Sequence, residues 1–274
     1  MQEIQIYQVD AFAGRAFGGN PAAVCPLETF LDDSVMQAIA RENNLSETAF
    51  ITPSRTPGAD YDLRWFTPTL EVAICGHATL AAAHVVLTHL KPDADAVTFE
   101  TRSGALPVCR RDGRLEMNFP VNRAAPVNMP PELPAVLGAE PVECYLTDRE
   151  YLLVFEDAET IRSMAPSITG LQAMAPYGFI VTAPGAGVTA PDLPGKTVDF
   201  VSRCFYPNHG VPEDPVTGSA HCVSAPYWAD RLGKDSLFAL QVSQRGGELW
   251  LEMKGDRVLI GGVNVEVMRG SLFI

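Results

Sequence analysis

Strand-like patterning dominates the chain. Ile4 to Val9, Tyr61 to Phe66, Val97 to Thr101, Leu115 to Phe119, Tyr151 to Phe155 and Phe179 to Thr182 are short runs, most of them rich in aromatic or β-branched residues, and they predict strands. Phe238 to Val242, Glu248 to Met253, Val258 to Ile260 and Val263 to Val267 repeat the pattern near the C-terminus. Helical spacing is rarer. Asp32 to Glu42 carries apolar residues at helical intervals after an acidic start, Ala78 to Leu90 is rich in Ala and Leu, and Ser219 to Leu232 is a third candidate. Residues 120–134 contain five prolines and little periodicity, which predicts a linker. The apolar stretch from Val72 to Leu90 is long enough to span a bilayer, but Gly76 and the rings of His77, His84 and His89 make it costly in hydrocarbon. A buried helix is the better reading.

Two parts of the chain resemble each other. Arg64-Trp65-Phe66-Thr67-Pro68 matches Arg203-Cys204-Phe205-Tyr206-Pro207 as R-x-F-x-P, and the string Glu71 to Ala78 matches Glu213 to Ala220 as E-x-x-x-x-G-x-A. Gly76 and Gly218 are 142 positions apart in a chain of 274 residues, and each precedes a helical segment. Order, spacing and following element agree, apart from a short insertion before Glu213. This pattern predicts two related halves joined by the proline-rich stretch, each wrapping strands around one apolar helix.

Composition narrows the chemistry. Thirty-three acidic against 20 basic residues give a formal net charge of -13, which argues against a nucleic acid or an anionic membrane as partner. The six cysteines are dispersed without a C-x-x-C pair, so zinc ribbons and thioredoxin-type motifs are absent, and a reducing cytoplasm is the simplest expectation. The N-terminus has no basic flank or long apolar core of the secretory kind.

Each repeat places glycine at a predicted helix start, with Cys75 or Thr217 at or near the N-cap. Free backbone N–H groups and the positive end of the helix dipole there suit a small carboxylate. Titratable residues gather in the same strings: His77 after Gly76, Asp214 ahead of Gly218, and Glu47 in Asn44-Leu45-Ser46-Glu47-Thr48-Ala49-Phe50. Glu47 is flanked by apolar residues, a setting that suits a general acid/base. No G-x-S-x-G, phosphate-binding glycine loop or regular metal-ligand spacing occurs, and no lysine lies in these strings, so neither a metal nor another cofactor is expected. Cofactor-free proton transfer remains.

Gly19-Asn20-Pro21-Ala22-Ala23-Val24, Asn44 to Phe50, Cys75-Gly76-His77-Ala78-Thr79 and Glu213 to His221 together resemble the PhzF-like family, as do Gln244-Arg245-Gly246-Gly247 and Ile260-Gly261-Gly262-Val263. The resemblance runs along almost the whole chain in order. It implies an α+β, diaminopimelate-epimerase-like fold: two pseudo-symmetric domains, each a β-barrel-like sheet wrapped around a central helix, with the site between them. The corresponding bounds are 1–119 for the first lobe, 120–134 for the linker and 135–264 for the second lobe, with the final strand, about 265–274, free to return to the first. By the same resemblance Glu47 shuttles a proton on a small cyclic or unsaturated carboxylic acid, His77 and Asp214 support it, Gly76, Gly218 and Ser219 hold the carboxylate, and the protein is a homodimer. Pro215-Val216 after Asp214, and Cys75 before Gly76, set the chain in the broader PhzF-like group rather than with the phenazine enzyme itself. Two alternatives stay open: an amino-acid epimerase or racemase of the same fold, which needs a base on each face of the α-carbon, and a non-catalytic carboxylate-binding module.

Overall fold

In the computed structural model, which describes residues 2–174 and 177–274, the chain divides into two units: Met1–Asn118 with Gly261–Ile274, and Phe119–Ile260. Its helices are α1 (Asp33–Asn43), α2 (Gly76–Val85), α3 (Leu133–Leu137), α4 (Ala158–Ser163), α5 (Ile168–Ala173) and α6 (His221–Leu232). Strands make up most of the rest, an α+β composition. Among the described residues no helix is long and apolar enough to cross a membrane.

The N-terminal unit is organised around α2. His77 through Ala83 and Val85 are all buried, so the helix is enclosed on every side. It packs against the strands Glu3–Ala11, Asn20–Pro26, Glu47–Pro53 and Asn264–Phe273. Each fully buried Leu or Val on it contributes ~1.5–3 kcal/mol. The final strand lies antiparallel on the first, from Glu3 opposite Phe273 to Ala11 opposite Asn264. Beyond Val85 the expected α-helix widens into a π-type turn, Val86–Leu90. A second core, including Ile6, Met36, Ile39, Phe50 and Phe66, lies between α1 and the sheet.

The C-terminal unit repeats the strand order. In the first unit Asn20–Pro26 runs parallel to Glu47–Pro53, which is antiparallel to Tyr61–Phe66; that strand then pairs with Glu71–Val72 and runs parallel to Ala96–Thr101. In the second, Glu150–Val154 runs parallel to Gly178–Pro184, which is antiparallel to Phe200–Tyr206; that strand pairs with Val211–Asp214 and runs parallel to Ser236–Gln241. Helix α6 packs against Ser236–Gln241 and Gly247–Lys254. Its Val223, with Ala220 just ahead of it, forms a core with Leu152, Ile180 and Cys204. The proline-rich stretch is tied into this unit, with Ala125 opposite Leu146, Pro126 opposite Tyr145, and α3 following.

The repeated R-x-F-x-P and E motifs are a structural clamp. Arg64 donates from Nε and Nη2 to the two carboxylate oxygens of Glu71, each at 2.8 Å. Arg203 grips Glu213 in the same two-pronged way, at 2.7 and 2.9 Å. Each guanidinium also lies over the following phenylalanine, 5.2 Å from the Phe66 ring centre and 5.1 Å from that of Phe205. The planar fork explains why both copies carry arginine.

Candidate active site

Three separate segments of the N-terminal unit meet at one cluster. Asn44 caps α1 in the left-handed conformation (φ 49°), a geometry asparagine tolerates, and turns the chain so that Glu47 opens the next strand opposite Ala22. Gly19 (φ 61°) makes the turn before Asn20; a Cβ there would come within 2.1 Å of the Ala11 carbonyl oxygen, so only glycine fits. Cys75, extended at φ −150°, is the N-cap residue of α2 and puts His77 in its first turn.

His77 Nε2 lies 2.8 Å from Glu47 Oε2. The contact is close but not in line, and Oε2 is closed off from solvent with no hydrogen-bond donor aimed at it among the described residues. The Glu47 side chain nevertheless keeps 14% exposure. On the other side of the ring, Asn20 Nδ2 is 3.1 Å from His77 Nδ1, while Ser46 Oγ donates to Asn20 Oδ1 at 2.9 Å. With the amide in this orientation Nδ1 accepts, and the ring proton sits on Nε2 beside the carboxylate. A second ring proton requires the amide to turn over, which Ser46 can follow because a hydroxyl both donates and accepts. Burial works against charge on His77, but the Cys75 sulfur and the Glu47 carboxylate favour it, and the ring's pKa stands well above the ordinary histidine value. Cys75 Sγ lies 3.6 Å from His77 Nδ1, and burial first, then the nearby Glu47, pushes the thiol up to about 11.

In the C-terminal unit the corresponding string is held more tightly. Thr217 Oγ1 donates to Asp214 Oδ2 at 2.6 Å, and the Thr217 backbone N–H donates to Gln241 Oε1 at 2.8 Å. Gln241, fully buried, also donates from Nε2 to the Asp214 carbonyl at 2.8 Å. Helix α6 does not begin at the glycine as α2 does. Gly218 to Ala220 form a tight turn with His221 N–H donating to the Gly218 carbonyl, and α6 runs from His221. The cause is local: the Thr217 hydroxyl is committed to Asp214, and its carbonyl accepts from the His221 ring Nδ1 at 2.8 Å. Gly218 is buried and Ser219 exposed on this turn.

Of the residues named from sequence, Glu47, Gly76 and His77 stand together in one unit, and Asp214, Gly218 and Ser219 along one turn of the other. Strand register gives the cluster an asymmetry the sequence concealed. Thr48 pairs with Phe66 and Phe179 with Phe205, so the counterpart of Glu47 is Gly178. A Cβ at Gly178 would meet the Tyr206 ring at 2.3 Å, so that place is already filled. The carboxyl exists in one copy only. Sequence reasoning missed Asn20 as a partner of His77 and Ser46 as a partner of Asn20; both lay inside the strings that carried the resemblance. It also missed Gln241, which no local pattern marked, and His221, the last residue of the Glu213 to His221 string.

The family description "Phenazine biosynthesis-like protein" (PhzC-PhzF) matches residues 9–270. An uncharacterized isomerase of Pseudomonas aeruginosa is 48% identical over 272 residues, covering 99% of this chain and 100% of that protein. The crystal structure of a PhzF-family phenazine biosynthesis protein from Enterococcus faecalis superposes with a TM-score of 0.92 at 42% identity, covering 100% of both chains. A hydroxyproline epimerase from Agrobacterium vitis, 10% identical, shares the fold with a TM-score of 0.62 over 98% of this chain and 92% of its own. The chain belongs to the phenazine biosynthesis-like PhzC-PhzF family.

Proposed function

We propose that this protein is a cofactor-independent isomerase that moves a proton on a small cyclic or unsaturated carboxylic acid, with Glu47 as the acid/base. The observation that carries this reading is the Glu47 carboxyl itself: Oε2 is turned inward, 2.8 Å from His77 Nε2, while the side chain keeps 14% exposure. A carboxyl held so can take a proton from carbon and return it elsewhere, with His77 stabilising its ionised form. Backbone N–H groups at Gly76, and in the other unit those at Gly218 with the Ser219 hydroxyl, are the proposed holders of the substrate carboxylate. Asp214 is proposed to act through Thr217, which its carboxylate engages. The name of the Pseudomonas aeruginosa relative, an isomerase, points the same way.

Amino-acid epimerisation with a thiol on each face fits less well. Cys75 is held as a thiol at neutral pH, Thr217 stands at its counterpart, and the Glu47 counterpart is Gly178. One acid/base matches these residues better than two. The test is solvent deuterium exchange into a panel of small unsaturated and cyclic carboxylic acids, followed by mass spectrometry. Wild type is expected to exchange at least one class, and Glu47→Gln to lower the rate about 10²–10⁴-fold with little change in substrate affinity. Exchange at the wild-type rate in Glu47→Gln overturns the assignment.

A further inference from the structure

Two of the segments that deliver the cluster carry large apolar side chains into solvent. Phe17 is the most exposed large apolar residue among the described ones, at 79%. It stands on the loop closing the hairpin of Glu3–Ala11 and Asn20–Pro26, whose last pair is Ala11 opposite Asn20. Asn20 is the residue whose amide meets His77 Nδ1. Three steps of chain reach at most about 11 Å, which keeps Phe17 at the border of the cluster. Ile74, also exposed, immediately precedes Cys75, whose sulfur lies 3.6 Å from the same ring nitrogen.

The backbone of Phe17 adds an independent observation. Its φ of 70° is in the left-handed region, which a bulky side chain adopts only at a cost. The strain is held from below: the Phe17 N–H donates to Asp10 Oδ2 at 2.7 Å, and Asp10 is fully buried. The core therefore pins the backbone while the ring stays in water. For the protein alone both features are unfavourable, and together they mark a residue kept for a ligand. We infer that Phe17 and Ile74 form an apolar rim that receives the non-polar body of the substrate. The substrate class is then a carboxylic acid with an unsaturated or aromatic ring rather than a short chain. A flat ring laid on Phe17 removes apolar surface of both partners from water and gains the favourable geometry of paired π-systems, whereas a short acid leaves the rim uncovered. This rests on the reading of Glu47 as the acid/base and names the substrate for that same site.

The test is calorimetric titration of the full chain with trans-cinnamate and with crotonate. The two acids share a conjugated carboxylate and differ in a phenyl ring against a methyl group. Wild type is expected to bind cinnamate at least about tenfold more tightly. Phe17→Asn, which suits left-handed backbone, should bring that preference below about threefold while melting no lower than wild type. Ile74→Ser should reduce the preference as well. No preference in wild type, or an undiminished one in Phe17→Asn, overturns the inference. So does a clear fall in the melting temperature of Phe17→Asn, which would make the ring a packing residue, or a fall in its sedimentation coefficient, which would make the ring a contact with a second copy. Glu47→Gln should keep the preference for cinnamate. The acid/base reading thus fails in deuterium exchange, and the rim fails in equilibrium binding.

Discussion

At the scale of single residues, the central feature is a relay: Ser46 to Asn20, Asn20 to His77, His77 to Glu47. Asn20 is fully buried, and its amide lies against Nδ1 of the ring. Asn20→Asp keeps the size but replaces the donor facing Nδ1 with a carboxylate, which favours the doubly protonated ring. A pH profile of deuterium exchange should then show the His77-dependent limb moved to higher pH, whereas Asn20→Ala lowers the rate at every pH without that displacement. Equal profiles for the two variants would reduce Asn20 to a packing role. Much of this cluster was legible in the sequence, because Glu47 and His77 sit in short strings with distinctive neighbours. The meeting of Glu47 with Cys75 and His77 was not legible, since strand pairing rather than one helix brings Glu47 to α2.

The elements themselves were read unevenly, for reasons of chemistry. Tyr61–Phe66 was visible at both ends because aromatic residues stand at each of them. Asn20–Pro26 was not predicted as a strand; it holds proline near one end and at the other, and proline reads as a turn when its neighbours are unknown. Helix α6 was found but begun too early, because nothing local shows that Thr217 serves Asp214 instead of capping. That helix carries its own pH sensitivity. His221 is fully buried, and burial outweighs its contact with the Thr217 carbonyl to bring its pKa down to about 4. The unfolded chain takes up this proton near pH ~6.5, so the stabilisation is complete above that value and is lost progressively as pH falls towards 4. The loss amounts to about 3 kcal/mol at the low end. Urea denaturation across this range should show wild type weakening with acid, and His221→Gln, less stable at neutral pH, with a distinctly flatter dependence. Parallel curves for the two proteins would remove His221 as the source.

The whole chain is a duplication in which symmetry was kept for structure and abandoned for chemistry. Strand order, the parallel crossovers and the arginine clamps recur in both units, while the position equivalent to Glu47 is a glycine, Gly178. The repeat of R-x-F-x-P and E strings revealed the duplication from sequence because the clamp needs those residue types at those places. The loss of the second acid was hidden, since only strand register identifies Gly178 as the matching position. The clamps differ in one respect that can be measured. Glu71 has a second cation, Arg102 Nη1 at 2.8 Å from Oε2, whereas Arg203 alone serves Glu213 among the described residues and also donates to the carbonyls of Ile161 and Met164. Arg203→Met therefore leaves a half-buried carboxylate and two carbonyls without their donor, a loss of about 3–5 kcal/mol by the usual penalty for breaking such a pair. Arg64→Met leaves Glu71 still paired with Arg102, so its effect should be about half as large. Native-state hydrogen exchange is the appropriate measurement, because it resolves which amides lose protection. Arg203→Met should accelerate exchange in the strands Gly178–Pro184 and Phe200–Tyr206, and Arg64→Met should act more mildly on Glu47–Pro53 and Tyr61–Phe66. If the two substitutions prove equal in size, the Arg102 contact contributes nothing, and the repeated clamp is as symmetric in energy as it is in sequence.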